Sequence, residues 1–193
     1  KIDTYACSSE LQRGSTICGI GTICHEFSHC LGYPDLYDIF YEGHFGMSSF
    51  DLMDSAGYND DGFCPAGYTA YEKWIAGWID YEVLEDENVT VTDLKPTSEG
   101  YVIYNKGNRN EYFILENRQQ TKWDKYIEAT GLQVIHVDYD PTCWINNVVN
   151  STGEFRQKDG WTADFKNDHQ RLTLVHADNI DDSKYWDKYE QYY

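Results

Sequence analysis

The chain has 193 residues, enough for one large domain or two small ones with a sizeable core. Lys plus Arg number 15 against 33 Asp plus Glu, and the resulting net charge of −18 excludes nucleic acid as an expected partner because such a surface repels phosphate backbones. No apolar run approaches the ~18 residues of a membrane helix, and an aromatic content of 16 % argues against disorder and for a β-rich fold.

In chain order, residues 16–31 come first as a predicted helix. Ile17, Ile20, Cys24, Phe27 and Leu31 recur at spacings of three and four and form one apolar stripe. At ~100° per residue that stripe points away from His25 and His29, so the helix is expected to pack with one side and present the histidines on the other. His25 and His29 lie four apart, one turn above the other, where they can grip one metal ion. Glu26 sits beside them and can reach a metal-bound water without being a ligand. Gly32 can take the left-handed conformation that ends a helix, and Pro34 stops the helix from resuming. The turned-back chain brings Asp35 toward the same metal as a third, oxygen ligand. A random H-E-x-x-H alone would appear in roughly one such chain in a hundred, and requiring the later Gly and Asp makes chance a poor rival.

Residues 36–64 read as an irregular Gly-, Asp- and Ser-rich stretch. Within it Asn59-Asp60-Asp61-Gly62 is acidic enough to attract calcium, although it is short for a dedicated cage and an ordinary turn is the plainer expectation. Residues 65–79 predict a second helix with Tyr71, Trp74, Ile75 and Trp78 on one face. From residue 81 the character changes: 89–94, 101–104, 111–117, 132–139 and 171–177 are short β-branched and aromatic runs separated by polar turns. His136 with Asp138, and His176 with Asp178, are each two apart on predicted strands, suited either to a second metal site or to histidine–carboxylate hydrogen bonds within a sheet. The tail from Asp181 to Tyr193 is acidic and aromatic and carries no assignment.

The six cysteines show no compact disulfide framework, and Cys24 and Cys30 would stand ~9 Å apart along one helix, too far to bridge. Without a C-x-x-C pair they are expected to be small buried hydrophobes. Asn88 and Asn150 match the glycosylation acceptor pattern and are read as ordinary loop residues.

The run His25-Glu26-Phe27-Ser28-His29-Cys30-Leu31-Gly32-Tyr33-Pro34-Asp35 resembles the extended signature of the metzincin zinc peptidases, with Asp in place of the final His. Gly32 to Asp38 makes it similar to the immune-inhibitor-A-like branch of secreted bacterial metallopeptidases. The segment Phe50-Asp51-Leu52-Met53-Asp54-Ser55-Ala56-Gly57-Tyr58-Asn59 resembles that branch's Met-turn, which implies Met53 as a hydrophobic floor beneath the metal, with Met47 as its rival. Tyr71-Glu72-Lys73, Gly77-Trp78, Glu116-Asn117-Arg118 and His136 to Tyr139 also fit the branch. The resemblance implies an α+β fold: over 1–80 a zinc-binding C-terminal portion of a metzincin-like catalytic domain with motif helix, Met-turn and second helix, and over 81–193 a β-rich module packed on it. Metzincins carry a substantial N-terminal subdomain before the motif helix, so the chain is expected to be the C-terminal portion of a longer peptidase.

The function so implied is that of a secreted or extracellular zinc-dependent endopeptidase acting on protein or peptide substrates. His25, His29 and Asp35 are its metal ligands and Glu26 its general base. Tyr58 and His44 are candidate substrate or transition-state contacts. Two alternatives stay open. Glu72, on a later helix, could replace Asp35 as third ligand in the gluzincin manner. The chain could also be a metal-containing protein- or glycan-binding module without catalytic activity.

Overall fold

The computed structural model describes residues 5–12, 14–85, 88–91 and 100–177, and among them the fold is mixed α+β. Strands β1 (Leu11–Gln12) and β2 (Thr16–Ile17) form a short antiparallel ribbon, so the expected helix over 16–31 is confined to α1 (Ile20–Cys30). Helix α2 spans only Ala70–Ile75, shorter at both ends than expected. Its start is set by a capping box in which Thr69 and Glu72 each receive the other's backbone N–H, and Gly77, at φ 72°, follows its end.

The main sheet has five strands in the order β3 (Tyr81–Val83), β4 (Gly100–Tyr104), β5 (Glu111–Arg118), β6 (Gly131–Asp138) and a final strand over Leu172–Leu174. The first pair is parallel and the rest are antiparallel. Helix α3 (Pro141–Ile145) and a small ribbon of β7 (Gly153–Phe155) with β8 (Phe165–Asn167) lie between β6 and that final strand, β9. Three of the expected strands, 101–104, 111–117 and 132–139, match β4, β5 and β6 to within a residue at each end, while 171–177 shrinks to β9. Residues 89–91 of the expected run 89–94 form no strand, and the remainder lies outside the described residues, as do Asp178 and the tail.

One buried cluster joins the two parts of the chain. Tyr33, Leu36, Met47, Met53 and Tyr71 pack with Val102, Tyr112, Ile114, Ile135, Val137 and Leu172. Along β5 the inward positions are Tyr112, Ile114, Glu116 and Arg118, so the apolar face ends in a charged pair. Arg118 is fully buried: its guanidinium donates to Asp124, Glu116, the Phe50 carbonyl and the Gly67 carbonyl. Glu116 in turn accepts the Ala70 N–H at 2.7 Å. A buried charge is tolerated only when paired and hydrogen-bonded on all sides, and here the pairing straps the sheet to the loop before Asp51 and to the start of α2.

The apolar stripe of α1 is not the side that packs. Ile17, Ile20, Phe27 and Leu31 are 68, 45, 56 and 47 % exposed, and Ile23 is exposed as well, whereas Gly21 and Ser28 are buried. The reason is a backbone approach: a Cβ on Gly21 would overlap the Gly57 carbonyl, so the helix docks on residues 55–62 through its smallest side chain. Ser28 adds a bond from its hydroxyl to the Cys24 carbonyl and a 2.6 Å contact with the Tyr68 hydroxyl. The cysteines also depart from expectation: only Cys143 is buried, Cys7 is exposed, and Cys18, Cys24, Cys30 and Cys64 lie between. Asn150 lies in the loop between α3 and β7, as expected, but not at its surface. It is fully buried and bonds the carbonyls of Leu36 and Leu172 and the amides of Arg171 and Leu172, while Asn88 is exposed.

Candidate metal centre

Gly32 has φ 96°, and its N–H bonds the His29 carbonyl at 3.0 Å while Leu31 N–H bonds Ser28 at 2.9 Å. This closes α1 and turns the chain back, so that Tyr33 enters the core and its hydroxyl donates to the Glu72 carbonyl. Asp35 arrives over the helix: its Oδ1 lies 3.1 Å from His25 Nε2 and 3.2 Å from His29 Nε2. The two imidazole rings stand edge-to-face, 4.9 Å between centroids.

Each ring is oriented from behind. His25 Nδ1 lies 2.8 Å from the Leu52 carbonyl, and His29 Nδ1 lies 2.8 Å from the Tyr33 carbonyl. A carbonyl only accepts, so both Nδ1 atoms carry hydrogen and, in neutral rings, both Nε2 atoms present lone pairs. Those lone pairs face a carboxylate oxygen that is buried and accepts no hydrogen bond. With both rings neutral, three electron-rich atoms aimed at one point repel one another, and a bound cation relieves this. Without one, so does a proton taken up by a ring, which is why Asp35 raises both histidines. Zinc bonds of 2.0–2.1 Å in a tetrahedron put ligand atoms roughly 3.3 Å apart, close to the two Asp35–histidine distances, and the three ligand atoms all lie within 4.8 Å of one another. The donor set of two imidazoles and one carboxylate fits zinc.

The other oxygen of Asp35 has its own partner. Asn147 Nδ2 donates to Asp35 Oδ2, and Asn147 Oδ1 accepts the Asp35 N–H, both at 2.6 Å. Asn147 stands just past the end of α3 at φ 58°. Burial alone would push the Asp35 carboxyl up, but His25, His29 and Asn147 outweigh it and hold it well below the usual carboxylate range. Burial pulls His25 down, yet Asp35 and the Leu52 carbonyl leave it raised; His29 is raised chiefly by Asp35.

Glu26 is half-buried and, with His25, lines a cavity of about 630 Å³. Tyr58 and His44 line the same cavity, Tyr58 at its exposed rim and His44 with Nε2 2.9 Å from the Thr152 hydroxyl. Met53 is fully buried in the core cluster next to Leu52, and its carbonyl accepts the Leu36 N–H at 2.8 Å. Met47 is buried equally in that cluster, in a loop pinned by Asp54 Oδ2, which accepts the N–H groups of Met47 and Ser48.

Among the described residues, His25, His29 and Asp35 are the only three His, Cys, Asp or Glu side chains whose ligand atoms converge. Glu72 is therefore not the third ligand: its carboxylate is buried in the α2 capping box, accepting from Thr69. The Asn59–Gly62 segment is a tight turn with left-handed Asp60 and Asp61, and it assembles no calcium ligand set. His136 pairs with Glu111 on the neighbouring strand at 3.2 Å, and Asp138 binds His169 and Arg171, so no second metal cluster forms there. His176 packs its ring on Phe45. Asn147 was missed by sequence reasoning. Its only local signal is a helix end, where Asn tolerates left-handed φ.

A scan against protein-family models and searches of curated proteins and of solved structures find no match to this chain. No described helix is long and apolar enough to cross a membrane.

Proposed function

We propose that the chain carries the metal centre of a zinc-dependent endopeptidase. The observation that carries this reading is the convergence of His25 Nε2, His29 Nε2 and the otherwise unpartnered Asp35 Oδ1, with Glu26 beside them on the wall of a cavity. A zinc ion there would supply Lewis acidity, lowering the pKa of water toward ~7 and polarising a peptide carbonyl. Glu26 takes the proton of the attacking water and returns it to the leaving amine. The Leu52 and Tyr33 carbonyls hold the imidazoles in the ligating tautomer, and Asn147 keeps Asp35 Oδ1 aimed inward. On the same reading the site is that of a metzincin-like peptidase.

The test is direct. Zinc-reconstituted protein, and its longest natural form, should bind about one zinc per chain and degrade unfolded casein. Glu26→Gln should retain zinc and lose activity by about 100-fold or more, the ordinary worth of a general base. Failure to bind zinc after reconstitution would remove the site, and equal proteolysis by wild type and Glu26→Gln would remove the mechanism.

A further inference from the structure

The turn over residues 51–54 reaches two of the three ligand segments, and it does so through its backbone. The Leu52 carbonyl accepts from His25 Nδ1 at 2.8 Å, and the next carbonyl, that of Met53, accepts the Leu36 N–H at 2.8 Å. Leu36 directly follows Asp35, so the second bond fixes the returning chain where it passes over α1. The Leu52 carbonyl shares its peptide unit with the Met53 N–H, which donates to Asp51 Oδ1 at 2.7 Å. A trans peptide points its N–H and its C=O to opposite sides. One rigid unit therefore runs between a carboxylate at one end and a ligand imidazole at the other, and hydrogen bonds in such a series strengthen one another.

Asp51 is itself anchored. It is fully buried, its main-chain carbonyl accepts the Asp54 and Ala56 N–H groups at 3.1 Å each, and the Thr69 hydroxyl lies 3.4 Å from its Oδ2. These bonds tie it to the segment on which α1 docks and to the start of α2. We infer that Asp51 is a positioning residue of the metal centre, acting on His25 through the single peptide between Leu52 and Met53. The turn then serves the centre by its backbone, and the Met53 side chain is replaceable. Metal-ligating histidines ordinarily give their second N–H to a carboxylate or to a carbonyl, and here the two stand in series. The Met53 side chain belongs to the core cluster, with Tyr33, Leu36 and Met47. The inference rests on the zinc site of the proposed function and not on proteolysis.

Zinc affinity from chelator competition and the visible spectrum of the cobalt(II)-substituted protein read the centre without any catalysis. Asp51→Ala strands the Met53 N–H and should weaken zinc binding by about 10–100-fold, the usual effect of losing an outer-shell partner, with a shift of the cobalt bands. Asp51→Asn keeps an acceptor oxygen and should stay within about 3-fold of wild type, with unshifted bands. Met53→Leu conserves volume and should also stay within about 3-fold. If Asp51→Ala does not fold, Asp51→Ser replaces it, because its hydroxyl makes the same turn more weakly, and it should bind zinc less tightly than Asp51→Asn. Three results overturn the inference while the metal centre stands: a folded Asp51→Ala or Asp51→Ser with wild-type affinity, no rescue by Asp51→Asn, or a loss in Met53→Leu as large as that in Asp51→Ala. Wild-type protein that binds no zinc removes the centre itself, and the inference with it.

Discussion

Asp35 works with both of its oxygens, and the division of labour makes its neighbours testable. Oδ1 faces the two imidazoles while Oδ2 is held by Asn147, so the Asn147 side chain decides which way the carboxylate points. Removing it with Asn147→Gly suits the left-handed φ of 58° and avoids the backbone strain that Ala would add. Zinc affinity should fall by about 10–100-fold, the usual worth of an outer-shell partner, as measured by chelator competition. An unchanged affinity would show that Asp35 needs no such support. At Asp35 itself, Asp35→His should largely preserve zinc binding by restoring a nitrogen ligand, whereas Asp35→Asn should weaken it by removing the charge. The opposite order would make Asp35 a turn residue and remove it from the ligand set. His25, His29 and Asp35 were legible because helical period, Gly32 and Pro34 are local rules. Asn147 was not, since its partner lies 112 residues away and nothing near it names a carboxylate.

Element-scale patterning was read well where one chain segment carries its own answer. The alternation of β5 and β6 fixed their extents, and register follows from it, Ile114 facing Ile135 in the buried layer. Helix α1 shows the limit. Periodicity says which residues share a side, not which side finds a partner, and the packing side was chosen by Gly21 against Gly57. Two boundary signals were present and unread: Thr69 with Glu72 as a capping box, and Asp140 before Pro141, whose carboxylate accepts the Thr142 N–H at 2.8 Å. The α1 geometry makes a contrast in stability. Gly21→Ala gains helix propensity yet drives a methyl into the Gly57 backbone, and should cost about 1–3 kcal/mol. Ile23→Gln and Phe27→Gln, on the exposed face, should each stay within about 0.5 kcal/mol. Urea unfolding of the three variants ranks them, and a large loss at Phe27 with none at Gly21 would mean that α1 packs by its apolar stripe after all.

At the scale of the whole molecule, buried carboxylates sit in the loop whose Leu52 carbonyl orients His25, and they make stability depend on pH. Burial pushes the Asp54 carboxyl up to about 7 and the Asp51 carboxyl up to about 6. In the unfolded chain both return to the ordinary value near ~4. Between those values the unfolded chain has released protons that the folded chain keeps. Their contribution is therefore fully present below about pH 4, declines as pH rises, and levels off above about pH 7. The net charge of −18 acts in the same direction, since self-repulsion grows as carboxylates ionise. Asp54→Asn isolates one part of this. Its amide oxygen can still accept from Met47 and Ser48, but it cannot ionise. Between pH 5 and pH 7.5 the wild type should lose more Tm than Asp54→Asn, and taking the difference cancels the other titrating groups. Each kcal/mol of that difference corresponds to about 2–4 °C for a chain of this size. Thermal unfolding of the metal-free proteins across this range provides the measurement. Parallel Tm curves would mean that Asp54 ionises at its ordinary pH inside the fold, and that the loop over Met47 and Ser48 is held by a carboxylate already charged at pH 5.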